Sequence, residues 1–192
     1  MIKAVIFDCF GVMQLGAHRA LEERFPEKAF LLSELTKQSD YGFLSKQEYI
    51  TDVSELTGLS DTEVVKTIVK KYYFNEPLAN FIKQELKPGY KIGMLSNVGR
   101  GWLQNFFHEN QLDDVFDEVV ISGDEGVTKP HPQIFELIAE KMHLTVEECL
   151  MVDDLPENIA GADAAGMKGI VYGNFYNFQK DIQRYTHYSE KI

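Results

Sequence analysis

The stretch Val5-Ile6-Phe7-Asp8-Cys9-Phe10-Gly11-Val12-Met13 decides the fold. Ala4 to Phe7 form an unbroken apolar run, the pattern of a strand buried on both faces, as in a parallel sheet. The run stops at the carboxylate of Asp8, and Gly11 follows to let the backbone turn. Open α/β sheets bind their ligands at the carboxyl ends of strands. A carboxylate placed there can serve as a nucleophile, as a metal ligand, or as both. The competing reading is an aspartate that merely starts a turn. The remainder of the chain has to decide between them.

Beyond Pro88-Gly89, apolar runs alternate with helical patterns. Ile92-Gly93-Met94-Leu95 ends in Ser96-Asn97, and a helix is expected from about Gly101 with Trp102, Phe106 and Phe107 on its buried side. Val119-Val120-Ile121 ends in Ser122-Gly123-Asp124. Gly126-Val127-Thr128-Lys129-Pro130 leads into a helix opened by Pro132, with Ile134, Phe135, Ile138 and Met142 on one face. Thr145 and Glu148 make a capping-box pattern before Cys149-Leu150-Met151-Val152, a run that ends in Asp153-Asp154. Pro156 starts a helix whose Ala160, Gly161, Ala162, Ala164 and Ala165 suit close packing, and Gly166 caps it. Gly169-Ile170-Val171-Tyr172 reads as a fifth strand, and Asn177 to Tyr188 as a last helix.

From about Gly16 to Lys87 the character is helical instead. Ser45 with Glu48, and Ser60 with Glu63, fit the capping box. Tyr49-Ile50-Val53-Leu56 and Val64-Val65-Ile68-Val69-Tyr72 make apolar stripes, and no buried strand is expected. The chain is therefore read as α/β, with residues 1–15 and 89–192 forming a three-layer α/β/α Rossmann-like core on a parallel sheet. Residues 16–88 form an inserted all-helical cap of about four short helices. In that cap His18, Arg19, Tyr41, Tyr72 and Tyr73 are candidates for facing a substrate, although no motif singles them out.

The chain's 192 residues, 44% hydrophobic and 26% charged, have the make-up of a soluble globular protein. A net charge of −11 without a dense Lys/Arg cluster disfavours nucleic acid or an anionic membrane as partner. The N-terminal apolar run is too short for a signal peptide or a membrane span. Cys9 and Cys149 stand in no metal-ligand spacing and read as reduced, buried thiols of a cytoplasmic protein.

Parallel strands share one direction, so Asp8, Ser96 and the Asp153-Asp154 pair should meet along one sheet edge, with Lys129 in a loop nearby. Three crowded carboxylates repel one another, and a hard divalent cation such as Mg²⁺ relieves that repulsion with oxygen ligands. A lysine and a hydroxyl are the groups a transferred phosphoryl group needs to hold its oxygens. The set is chemically coherent, which favours a site over a turn at Asp8.

The same residues carry a family resemblance. Asp8-Cys9-Phe10-Gly11-Val12, Ser96-Asn97, Lys129-Pro130 and Asp153-Asp154 with Glu157-Asn158-Ile159 resemble, in order, the four motifs of the haloacid dehalogenase superfamily. Gly161-Ala162 and Ala165-Gly166-Met167 are similar to the helix that follows the fourth motif. The resemblance spans the chain and points to the helical-cap type (C1, subfamily I). It implies Mg²⁺-dependent hydrolysis of a small phosphorylated metabolite, such as a sugar phosphate, through an aspartyl-phosphate. Carried over by position, Asp8 would attack phosphorus, Ser96 and Asn97 would bind the substrate, and Lys129 would neutralise charge between nucleophile and phosphate. Mg²⁺ would be held by Asp8, Asp154 and the backbone carbonyl of Phe10, with Asp153 as a further ligand or acting through water.

One position departs from the pattern. Phosphatases of this superfamily usually carry a second aspartate two residues after the nucleophile, to protonate the leaving oxygen and then activate water; here it is Phe10. General acid–base help is typically worth ~10²–10⁴-fold. Three readings remain: a phosphatase that draws its proton from water, a cap residue or the substrate; a 2-haloacid dehalogenase; or a binding or regulatory protein that has lost the chemistry. The dehalogenase branch uses no metal and has neutral residues where this chain has Asp153-Asp154, so the acidic pair favours the phosphatase. Receiver domains also carry an acidic pair, but after their first strand, which excludes them on order. The expected assembly is a monomer or homodimer. The cap's two connections suggest a hinge that closes over the site and favours small substrates.

Overall fold

Residues 1–16 and 19–187 are described by the computed structural model, so His18 and Tyr188 lie outside the described residues. The chain opens with β1 (Ala4–Phe7) and a two-residue strand, β2 (Gln14–Leu15). Four helices follow: α1 (Ala20–Arg24), α2 (Ala29–Asp40), α3 (Lys46–Thr57) and α4 (Asp61–Val69). β3 (Tyr73–Phe74) leads back, and α5 (Glu76–Phe81) continues into a π-helical turn at Ile82–Leu86. Then come β4 (Lys91–Ser96), α6 (Gln111–Val115), β5 (Glu118–Ile121), α7 (Ser122–Glu125) and α8 (Pro132–Lys141). β6 (Cys149–Asp153), α9 (Pro156–Ala164), β7 (Lys168–Val171) and α10 (Phe175–Asp181) complete it.

The main sheet has the order β5-β4-β1-β6-β7, and every pairing in it is parallel. β1 is central because it is apolar on both faces, and successive side chains point to opposite sides. Val5 and Phe7 join a cluster with Leu78, Ile82 and Phe178 of the α5 and α10 segments. Ala4 and Ile6 join another with Ile134, Phe135 and Ile138 of α8 and Ala162 of α9. Burying each of the larger side chains is worth ~1.5–3 kcal/mol, so the strand is held in register from both faces. The α/β class and Rossmann-like arrangement agree with the sequence reading.

Helix starts behave as their chemistry predicts. Ser45 N donates to Glu48 Oε2 at 2.8 Å at the head of α3, and Ser60 N donates to Glu63 Oε2 at 2.9 Å at the head of α4. Pro132 and Pro156 stand in the first turns of α8 and α9. Among the described residues, no helix is long and apolar enough to cross a membrane.

Three local expectations need correction. No long helix follows Gly101: a 3-10 turn spans Leu103–Asn105 and only α6 follows, because Gly101 (φ 76°) and Asn110 (φ 65°) take left-handed conformations that interrupt it. Thr145 and Glu148 do form the expected capping box, Thr145 N donating to Glu148 Oε2 at 3.1 Å, and the turn they open is a 3-10 turn, Val146–Glu148, since β6 begins at the next residue. The last helix begins earlier than expected, at Phe175, because the Asn174 side chain caps it, and it ends at Asp181 before a 3-10 turn. Finally, the segment read as all helical contains a short strand, β3, which pairs antiparallel with β2, although it is not a buried one.

That small ribbon joins both connections to the helices. Asn75 N donates to Met13 O at 2.8 Å, and Asn75 Nδ2 donates to Val12 O (2.8 Å) and Tyr172 OH (2.9 Å). α1 to α4 pack on one another. α5 instead sets Phe81 against Phe175 and Phe178, with ring centroids 5.6 and 5.9 Å apart.

Candidate active site

Asp8 N donates to Val152 O at 2.8 Å, carrying the β1–β6 pairing one step beyond Phe7↔Val152. Asp8 and Asp153 therefore stand side by side at the strand ends. Lys129, in the loop before α8, spends its three N–H donors there: on Asp8 Oδ1 (2.7 Å), Asp153 Oδ2 (2.6 Å) and Leu95 O (2.9 Å). All three charged residues are buried. Burial opposes the charge on Lys129, but Asp8 and Asp153 outweigh it and hold its pKa above the ordinary value. Burial likewise pushes the Asp8 carboxyl up, against the pull of Lys129. Removing one member of such a buried trio leaves charge uncompensated, at a cost of ~3–5 kcal/mol.

The two acids of the pair differ. Asp153 is fully buried, and both its oxygens are engaged. Oδ1 accepts from Leu155 N (2.9 Å) and Asn158 Nδ2 (3.0 Å), and Oδ2 from Lys129 and from Asn158 Nδ2 (3.1 Å). Asp154 is half-buried and borders a cavity. Oxygens of Asp8, Asp153 and Asp154 lie within 4.8 Å of one another. Gly11 makes room for this cluster, since a Cβ there would collide with the Asp154 carboxylate, and its φ of +86° suits only glycine. Three carboxylates against one lysine leave excess negative charge and hard oxygen donors, which fit a divalent cation such as Mg²⁺.

Ser96 ends β4 fully buried, and its Oγ has no hydrogen-bond partner of good geometry, the Cys9 thiol beside it being only a weak one. A buried hydroxyl left so costs ~1–3 kcal/mol. Burial pushes the Cys9 thiol well up, so it stays protonated. Asn97 grips the lysine loop through both backbone groups of Lys129.

A cavity of about 390 Å³ lies between these strand ends and the helices α1 to α4. Asp8, Phe10, Asn97, Lys129 and Asp154 border it from the sheet side, whereas Ser96 and Asp153 lie behind its wall. The Phe10 ring packs against Phe106 (4.9 Å between centroids) and Tyr72 (5.2 Å), and these two pack on each other at 5.1 Å. The result is an aromatic wall at the position two residues after Asp8.

A family model described as haloacid dehalogenase-like hydrolase matches residues 2–166. The chain belongs to that family. A glyceraldehyde 3-phosphate phosphatase of Pyrococcus furiosus is 36% identical over 107 residues, which cover 53% of this chain and 44% of that protein. The chain thus spans under half of that relative's length. A HAD-like family hydrolase from Porphyromonas gingivalis is 26% identical, with a TM-score of 0.79 over 96% of this chain and 97% of that one. A HAD family enzyme from Bacteroides thetaiotaomicron, in complex with magnesium and inorganic phosphate, shares the fold at 20% identity and a TM-score of 0.76, covering 88% of this chain and 93% of that one.

In this haloacid dehalogenase-like chain, the residues named from the motifs all gather at one sheet edge. The helical candidates divide. Arg19 and Tyr72 border the cavity; Tyr41 stacks on Phe43, and Tyr73 is exposed in β3. Sequence reasoning missed Glu22, Asp40 and Tyr49 on the helical wall, and Trp102 and Phe106 opposite. Only Asp40 carried a signal. It ends α2, where the helix dipole disfavours a carboxylate, so its presence there called for another reason.

Proposed function

We propose that this chain is a Mg²⁺-dependent hydrolase of small phosphate esters, sugar phosphates among them, working through an aspartyl-phosphate on Asp8. The observation that carries the reading is Lys129, buried and bonded to both Asp8 and Asp153 beside Asp154, at the foot of a cavity of about 390 Å³. That volume suits a small metabolite. The phosphatase relative and the magnesium- and phosphate-bound neighbour support it.

Asp8 attacks phosphorus, and Lys129 neutralises the charge between that carboxylate and the incoming phosphoryl oxygens. Ser96, its hydroxyl unspent just behind the cavity wall at the same edge, is assigned to a phosphoryl oxygen seated against that wall. Asp8, Asp154 and the Phe10 carbonyl would hold Mg²⁺, while Asp153, its oxygens taken, acts through Lys129 and Asn158. When bound, the ion neutralises phosphoryl charge as a Lewis acid. We read α1 to α4 as the cap and the β2–β3 ribbon as its connections, with α5 belonging to the core. A cap seated over the strand ends excludes water that would weaken these electrostatic contacts. Free, buried thiols accord with a cytoplasmic setting.

One observation favours a second reading, a protein that binds a phosphorylated ligand without turning it over: a packed ring, Phe10, holds the position of the usual acid. Hydrolysis of p-nitrophenyl phosphate separates the two, because its leaving group needs little protonation. Activity that requires Mg²⁺, stops in EDTA and is lost in Asp8→Asn supports the hydrolase. Mg²⁺ binding without turnover moves the conclusion to the binding protein.

A further inference from the structure

Phe10 cannot donate a proton, so a leaving-group acid has to come from elsewhere on the cavity wall. Asp40, the last residue of α2, lies on the helical wall of the cavity at the point where α2 meets the core loops. Its carboxylate accepts from Gly99 N–H, and its backbone carbonyl accepts from Ser122 Oγ at 2.6 Å. Neighbouring glycines allow this approach: a Cβ on Gly42 would collide with Gly123 O, and one on Gly99 with Ser39 Oγ. Gly99 lies two residues beyond Asn97, which grips Lys129, so the Asp40 carboxyl sits on the loop that leaves the phosphoryl site. The neighbouring Tyr72 hydroxyl is pushed upward by burial and is too weak an acid for the task.

We propose that Asp40, reaching in from the cap, is the general acid that protonates the leaving oxygen in place of the aspartate absent at Phe10. The proposal rests on the reading of Asp8 as nucleophile. In the first step Asp8 forms a bond to phosphorus and the ester P–O bond breaks. The released electron pair takes the proton of the Asp40 carboxylic acid, giving the free alcohol. In the second step the Asp40 carboxylate accepts a proton from a water whose oxygen attacks phosphorus. The Asp8–phosphorus bond then breaks to release inorganic phosphate, and both side chains return to their starting states. Burial supports the role by pushing Asp40 up to about 7 against the pull of Gly99 N–H, so the acid holds its proton near neutrality. The ionisable groups on the surrounding elements are Arg19, Glu22, Tyr49 and Tyr72 on the cap side, Arg100 on the loop after β4 and Asp124 of α7, with Asp8, Lys129 and Asp154 on the sheet side of the cavity.

The test uses the full chain with Mg²⁺ and two probes, p-nitrophenyl phosphate and the poorer leaving group of phenyl phosphate. Asp40→Asn should lower kcat/KM by under ~10-fold on the first and by ~10²–10³-fold on the second. A merely structural or binding role lowers both alike, and that result overturns the proposal. The unmutated chain supplies a second measurement that needs no variant to fold. Its ratio of phenyl to p-nitrophenyl phosphate kcat/KM should fall as pH rises above about 7, where Asp40 loses its proton. A ratio flat across pH overturns the proposal. Asp8→Asn distinguishes the two failures: if it retains Mg²⁺-dependent turnover, or if the unmutated chain has none, the nucleophile reading falls and Asp40 falls with it.

Discussion

Asn97 and Lys129 hold each other in both directions: Asn97 Nδ2 donates to Lys129 O at 2.9 Å, and Lys129 N donates to Asn97 Oδ1 at 2.8 Å. One side chain thereby closes a loop from a residue 32 positions away. The amide of Asn97 is spent on fixing the lysine that touches Asp8, which makes Asn97 a positioning residue in our reading.

Asn97→Ala should therefore lower kcat by about 10–10²-fold through a displaced Lys129, with a smaller change in KM. It should also cost ~1–3 kcal/mol of stability for the two lost bonds. Steady-state kinetics and urea unfolding measure both. A rise in KM at constant kcat would instead mark Asn97 as a direct substrate contact.

Asp153 and Asp154 should separate under substitution. Mg²⁺ at ~100 times its Kd should stabilise the unmutated chain by about 2.7 kcal/mol. Asp154→Asn should abolish that gain. Asp153→Asn should retain part of it yet unfold more readily without Mg²⁺, because the amide offers Lys129, Asn158 and Leu155 N one acceptor oxygen instead of two and no negative charge. Thermal melts with Mg²⁺ and with EDTA decide the matter, and identical behaviour of the two variants would refute the division of labour.

Asp40 also predicts a pH dependence of stability. Burial raises it from the ordinary 3.8 to about 7 in the folded chain, so the protonated form is favoured by folding. That contribution is full below 3.8 and is lost as pH rises toward 7. Asp40→Asn should accordingly be more stable than the unmutated chain by ~1–3 kcal/mol at pH 8 and equal to it near pH 4. Urea unfolding at the two pH values checks the sign, and a difference that does not change with pH contradicts it.

The strands were legible in the sequence because each is an apolar run stopped by a polar residue, and the parallel order brought their ends together. α8 was legible from its stripe of Ile134, Phe135 and Ile138, and α3 from Ser45 and Glu48. The β2–β3 ribbon was not, since two residues per strand show no periodicity. Trp102 and Phe106 misled as a helical stripe. They are buried or half-buried for packing against Tyr49 and Phe10 instead, at centroid separations of 5.6 and 4.9 Å.

By itself the sequence determined the sheet, the acids and hydroxyl at its edge and the absence of an acid at Phe10, because these follow from local pattern and from the shared direction of parallel strands. Only the tertiary structure decided that Asp153 anchors Lys129 while Asp154 borders the cavity, that Asn97 grips the lysine loop, and that Asp40 reaches the core. The bond from Lys129 to Asp8 joins residues 121 positions apart. Contacts of that kind, and the burial that shifts a carboxyl's proton affinity, arise only when separate segments pack, and no local pattern encodes them.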